Sequence, residues 1–261
     1  MASADRSAPI EILGVSVTAT TEADAIAWID EVLTTNGRVC HLATYNPEYA
    51  IAARRNPSFA AALKRCELVT ADGIGISLAA RLRGRSIERV TGVRMLQMLA
   101  ATGVPIFLLG AGPNVANLAA ERLREAESET RIVGVWADGT PDPAQDDETI
   151  KRIRESGARV VAVAYGAPAQ VLWIERNRVP LSEAGVRIAV GVGGALDYWS
   201  GLTPTPPAAI RRFGLEWLWR LVREPKRWRR QLALPQFAAL AGIEAANERV
   251  RRARLVRNDP A

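Results

Sequence analysis

The sequence has one histidine, two cysteines and no Asp-x-Asp pair in 261 residues, and each shortage removes a class of chemistry. One histidine and two cysteines are too few to build a metal centre on imidazole and thiolate ligands. Without Asp-x-Asp, the usual carboxylate clamp for a metal–nucleotide complex is missing. No Gly-x-x-x-x-Gly-Lys-Ser/Thr occurs, which excludes a P-loop enzyme. His41 could join a Ser/His/Asp triad on paper, but no nucleophile elbow accompanies it, and it reads as a structural residue. Cys40 and Cys66 sit at the edges of apolar runs, outside any CxxC, and read as reduced residues in or near the core. That usage suits a reducing, cytoplasmic setting. Met1 to Pro9 is short and polar and does not resemble a signal peptide. No run of about 18 apolar residues is present to span a bilayer.

What is present is an ordinary cored composition, 48% apolar and 24% charged, with an uneven charge. From Thr205 to Ala261 there are 13 Lys+Arg against 5 Asp+Glu, a net of +8; the whole chain carries +6, so the remaining 204 residues sum to −2. Only the tail needs an anionic partner to explain it. Three segments are expected: a disordered N-terminus over 1–9, a core over 10–204 and a basic appendage over 205–261. The Thr203-Pro-Thr-Pro-Pro207 stretch is the linker before the appendage.

Apolar strand-like runs are expected at Ile12–Val17, Val39–Thr44, Leu68–Ala71, Pro105–Gly110, Arg131–Trp136, Arg159–Ala164 and Val186–Gly191. Helical stretches are expected at Glu22–Thr34, Pro47–Arg54, Ile74–Leu82, Gly92–Ala100, Asn114–Glu127, Thr149–Glu155 and Gln170–Arg178. The alternation predicts an α/β fold: a mostly parallel sheet with helices on both faces, a Rossmann-like three-layer core. Glycines and polar residues gather where strands end, at the edge on which such sheets bind ligands.

Asp72 is the leading candidate for a general base, because it ends an apolar strand and precedes two glycines. Capping the following helix is its structural alternative. Asp197, beyond Gly191-Val-Gly-Gly194, is a second candidate, with capping or a backbone hydrogen bond as the alternative. Gly110-Ala-Gly112 and Gly73-Ile-Gly75 each lack the third glycine of a dinucleotide fingerprint. They suit a phosphate cradle or merely a tight turn. Gly110-Ala-Gly112 therefore leaves a dinucleotide-dependent oxidoreductase open, although its fingerprint is incomplete.

Between Ile210 and Val222 the pattern is helical and two-faced. Ile210, Phe213, Trp217, Leu218 and Leu221 share one face; Arg212, Glu216, Arg220 and Arg223 share another. With Arg227 and Trp228 just beyond, the segment suits an anionic membrane surface, contacted by Trp217, Arg220, Arg223, Arg227 and Trp228. A helix packed on the core is the alternative, and a nucleic-acid partner is not expected. The run Arg249–Arg257 is expected to fray.

The ordered motifs resemble the WecG/TagA/CpsF family of bacterial glycosyltransferases from about Leu13 to Arg230. They are Thr44-Tyr-Asn46-Pro-Glu48, Ala71-Asp-Gly-Ile-Gly75, Arg89-Val-Thr-Gly92, Gly166-Ala-Pro-Ala-Gln170, Gly191-Val-Gly-Gly-Ala-Leu-Asp197 and Gly214-Leu-Glu-Trp-Leu-Trp-Arg-Leu221. The resemblance implies an inverting transfer from a UDP-sugar, commonly UDP-N-acetylmannosamine, with no metal or other cofactor. The implied acceptor is a polyprenyl-diphosphate-linked saccharide at the inner face of the cell membrane, in cell-surface polysaccharide synthesis. It implies Asp72 as base and Thr44, Asn46, Arg89 and Gln170 around the pocket; Arg89 is the first choice as the catalytic cation that meets the charge of the departing UDP, and an arginine from the tail is the second. Gly73, Gly110 and Asp197 complete the expected substrate-binding set. Association of copies through core surfaces is left open by the resemblance. Ala169, Val171, Arg94 and Thr205 depart from the family's usual residues, which would remove polar groups around the pocket or its lid and leaves open a non-catalytic or weakened sugar-nucleotide-binding protein.

Overall fold

A computed structural model describes residues 8–18, 20–212, 214–223, 225 and 228–257, with side chains up to 251 apart from those of 208 and 211. Residues 1–7, Phe213, Glu224, Lys226 and Arg227 lie outside the described residues, and with them most of the expected disordered N-terminus and one expected membrane contact.

Six strands form one parallel sheet: β3 (Cys40–Tyr45), β4 (Leu68–Ala71), β5 (Pro105–Gly110), β6 (Arg131–Trp136), β7 (Val160–Ala164) and β8 (Ile188–Gly191). Their order is β4-β3-β8-β7-β5-β6. The central strands are buried on both faces, as parallel strands under two helical layers must be. Alternate residues divide between the layers. Leu42, Ile106, Leu108, Val160 and Val190 pack under α1 (Glu22–Thr34), α5 (Gly92–Ala101) and α6 (Val115–Ala126). On the other face Tyr45 and Val69 meet α2 (Pro47–Arg55), α3 (Pro57–Lys64) and α4 (Ile74–Leu82). Phe107 and Val163 meet α7 (Asp146–Ser156), α8 (Ala169–Arg176) and α9 (Arg178–Glu183). The expected three-layer core is therefore present.

The expected strand Ile12–Val17 is instead a hairpin, β1 (Ile10–Ile12) with β2 (Val15–Val17). Leu13 and Gly14 both take positive φ, 49° and 79°, the backbone of a tight two-residue turn. Four apolar side chains of this hairpin are buried against the sheet. Helices α3 and α9 fall in segments not expected to be regular. His41 is fully buried, its ring nitrogens without a hydrogen-bond partner among the described residues and Glu175 4.0 Å away, as a structural residue would be. Cys40 and Cys66 are free and partly buried.

After α10 (Ala195–Trp199) the tail forms α11 (Ala208–Arg212), α12 (Glu216–Arg223), α13 (Trp228–Gln231) and α14 (Ala233–Arg257). The expected continuous helix from Ile210 to Val222 is broken at Gly214, whose φ is +70° and whose missing Cβ would lie 2.6 Å from Ile74. The Arg249–Arg257 run is helical rather than frayed, because it continues α14. That helix is anchored by Phe237, Ala241 and Ala245, which share one face at four-residue spacing and are buried; the first two join the α2/α4 cluster. Arg83 pairs with Glu244 and Glu248, fixing α14 to the end of α4. No helix among the described residues is long and apolar enough to cross a membrane.

Candidate active site

The C-terminal ends of β3, β4, β7 and β8 open into one cleft of about 730 Å³, closed on one side by α12 and α13. Its depth comes from glycines that let elements approach. Gly75, in the first turn of α4, would place a Cβ 2.6 Å from Pro47 at the start of α2. Only glycine fits there, so the N-termini of α2 and α4 can point together into the cleft with their positive dipole ends.

Asp72 lies on the cleft floor. Its amide donates to the Tyr45 carbonyl at 2.7 Å, which fixes the backbone at the end of β4. The segment leading to α5 then runs beside that strand end. Val90 donates to the Ala71 carbonyl at 2.9 Å, and Ala71 bridges to Arg89. This pairing brings Arg89 and the Gly92 amide to Asp72, although they lie 17 and 20 residues away in sequence. Asp72 does not cap α4: Gly73, with φ +89°, occupies the cap position and no side chain caps that helix. Burial pushes the Asp72 carboxyl up to about 7, against the lowering effect of a hydrogen bond from the Gly92 amide. Within that net rise the charges of Glu216 and Glu48 act upward and that of Arg89 downward.

Thr44, Asn46, Gly73, Gln170 and Asp197 also line the cleft, so most of the sequence-expected residues are brought together. Two behave differently from expectation. Asn46 uses its side-chain oxygen to cap α2, accepting from the Tyr49 amide at 2.9 Å, which leaves the amide nitrogen to face a ligand. Gln170 is buried and its amide is consumed within the protein. Its oxygen accepts from the Gly166 and Gly193 amides, both at 3.0 Å, and its nitrogen donates to the Tyr49 hydroxyl. Gln170 thus staples the wall from behind. Gly110 does not line the cleft; it lies under the Tyr165 ring, where a Cβ would sit 2.8 Å away, while Ala111 and Gly112 form the wall. Of the four departures, Arg94 and Thr205 line the cleft, whereas Val171 packs in the core and Ala169 lies off the wall. Arg94 pairs with Glu22 of α1 at 2.5 Å.

The tail supplies one wall of the cleft. The polar side of α12 faces the cleft: Glu216 pairs with Arg89 at 2.9 Å, and Arg220 lies over the Tyr198 ring, 3.9 Å from Asp197. Trp217 lines the same wall. Arg230 pairs with Glu48 at 2.7 Å. Facing outward instead are Leu218 (40% exposed), Val222 (71%) and Trp228 (54%). Arg223 stacks over Trp219 at 4.5 Å on this outer side. Periodicity had grouped Glu216 with Arg220, but it could not say that this face meets the core.

The model of the glycosyl transferase WecG/TagA/CpsF family matches residues 10–253. The chain belongs to this family. It is therefore a glycosyltransferase, and the oxidoreductase and binding-protein readings left open by the sequence give way to group transfer. A relative from Bacillus spizizenii, N-acetylglucosaminyldiphosphoundecaprenol N-acetyl-beta-D-mannosaminyltransferase, is 31% identical over 201 residues, covering 75% of this chain and 76% of its own length. Among the described residues of this glycosyltransferase, no three His, Cys, Asp or Glu side chains are grouped to hold a metal ion.

Proposed function

We propose that this glycosyltransferase moves an N-acetylmannosamine-like sugar from UDP to a saccharide carried on a polyprenyl diphosphate, with inversion and with Asp72 as the base. The printed activity of the Bacillus spizizenii relative supports the donor and acceptor class. The observation that carries the mechanism is Asp72 itself, a carboxylate on the floor of a 730 Å³ cleft with its pKa raised to about 7. A base poised near the working pH is deprotonated often enough to act and still basic enough to accept a proton.

In the transfer, the acceptor hydroxyl oxygen attacks the anomeric carbon, its proton passes to Asp72, and the bond to the UDP oxygen breaks. Negative charge grows on the departing diphosphate. Arg89 and Arg220 are the cations placed on the wall to meet it, helped by the positive dipole ends of α2 and α4. Gly73 allows close approach of the backbone, and Thr44 and Asn46 present groups suited to sugar hydroxyls or an N-acetyl group. Asp197 orients Arg220. The division at Thr205 is functional in this account: the core over 10–204 carries the base, and the appendage over 205–261 carries the wall arginine and the membrane face.

Peripheral docking on the cytoplasmic leaflet follows from the acceptor, which is held by its lipid. The outward apolar side of α12 and α13, with a tail of net +8, suits an anionic lipid interface. The membrane face is then Leu218, Val222, Arg223 and Trp228, with Trp217 and Arg220 reserved for the cleft.

The test is a thermal-shift screen of nucleotide sugars followed by transfer to a polyprenyl-diphosphate-linked N-acetylglucosamine. UDP-N-acetylmannosamine is expected to raise Tm and to be consumed, since a ligand of the folded state stabilises it. Stabilisation by other nucleotide sugars alone, without transfer to the lipid acceptor, would overturn the reading.

A further inference from the structure

Arg89 is held beside Asp72 from two directions. The backbone bridge between Ala71 and Arg89 fixes its Cα from within the core. The Glu216 carboxylate grips its guanidinium from the tail, through Oε1 at 2.9 Å and Oε2 at 3.2 Å from the same nitrogen. Both side chains are only about a quarter exposed, 23% for Arg89 and 29% for Glu216. Glu216 opens α12, and its amide neighbourhood favours a carboxylate there. A guanidinium has several rotamers of similar energy, so a second anchor at its tip decides where its charge lies.

We propose that Glu216 is a positioning residue of the transfer reaction, holding the Arg89 guanidinium in place and balancing its charge beside Asp72. This rests on the assignment of Asp72 as base. The tail is then part of the active site's electrostatics as well as its roof. Without Glu216, a negative charge that raises the Asp72 carboxyl is gone, so Asp72 would stay ionised to lower pH and be less basic. The charged and titratable groups facing Asp72 are Arg89 from the segment before α5, Glu216 from α12, and Glu48 and Tyr49 from α2, with Arg230 of α13 paired to Glu48. Glu216 is the one of these that comes from the tail and touches Arg89 directly.

The experiment is the rate of the full-length protein against pH, on both sides of about 7, for wild type, Glu216→Gln, Glu216→Asp and Asp72→Asn. UDP-N-acetylmannosamine and a polyprenyl-diphosphate-linked N-acetylglucosamine serve as substrates. Glu216→Gln should move the acid limb of kcat to lower pH by roughly half a unit or more, since it removes a negative charge that raises Asp72. Glu216→Asp keeps the charge on a shorter stem, so its limb should stay near wild type while kcat falls several-fold. An acid limb for Glu216→Gln that overlays wild type, with the rate lowered equally at every pH, would make Glu216 a structural latch and overturn the inference. Turnover close to wild type by Asp72→Asn would instead overturn the base assignment beneath it, and the two failures are distinguishable in one data set.

Discussion

Gln170 donates a 2.5 Å hydrogen bond to the Tyr49 hydroxyl inside the protein, joining α8 to α2 behind the cleft wall. The same side chain accepts from the amides of Gly166 and Gly193, so three crossovers meet on one amide group. The space for it exists because residue 191 is glycine; a Cβ there would lie 2.6 Å from the Gln170 nitrogen.

Gln170→Ala should therefore act through stability and shape. Two amides and a hydroxyl lose their partner in the interior, at a cost of about 2–4 kcal/mol. Urea denaturation of the variant should show that loss, together with weaker donor binding as the loops relax. A variant as stable as wild type but inactive would return Gln170 to direct substrate contact.

Gly191→Ala should give the same phenotype from the opposite partner. The added methyl must displace Gln170, and overpacking of this kind costs about 1–3 kcal/mol. A double variant with Gln170→Ala should cost less than the two single losses added together, because the clash is gone. Additive losses in a double-mutant cycle would contradict the staple.

Much of this arrangement is legible in the sequence, and the exceptions have physical causes. Strands such as Leu68–Ala71 and Pro105–Gly110 announce themselves because burial on both faces demands unbroken apolar runs. Asp72 and the glycines around it mark the cleft because a strand that turns straight into a helix packed on Pro47 needs a positive φ at Gly73 and no Cβ at Gly75. The Leu13-Gly14 hairpin reads as one strand because the turn's first residue is leucine, a side chain that rarely takes positive φ. Gln170 looks like a ligand contact because its polar type shows, while its partners, two backbone amides, have no signature. Helical spacing identified the two faces of α12, but the choice between them depends on Arg89 and Asp197 waiting across the cleft.

The raised pKa of Asp72 makes a stability prediction with a definite sign. The folded protein holds a proton on Asp72 up to about pH 7, whereas the unfolded chain releases it near the ordinary aspartate value of 3.8. Stability from this group is thus fully present below pH 3.8 and is lost as pH rises through 7. Asp72→Asn cannot ionise, so it should be more stable than wild type on the alkaline side of 7, with the difference shrinking on acidification. Melting curves of both proteins across that range check this, and a constant difference would mean that Asp72 titrates normally.

The outward apolar side of the tail should bind membranes. Replacing Leu218, Val222 and Trp228 together by serine should abolish flotation with vesicles containing anionic lipid and leave the core's melting temperature unchanged, since all three are exposed. Added salt should weaken wild-type binding in part, leaving the apolar contribution. Equal flotation of variant and wild type would place the membrane contact elsewhere.

The most direct test of the account compares wild type with Asp72→Asn for donor affinity by calorimetry and for transfer rate to a lipid-linked acceptor. Loss of a general base should lower transfer by about 10²–10⁴-fold, with the Kd for the UDP-sugar nearly unchanged. Turnover close to wild type in the purified variant would contradict the role of Asp72 and the mechanism built on it.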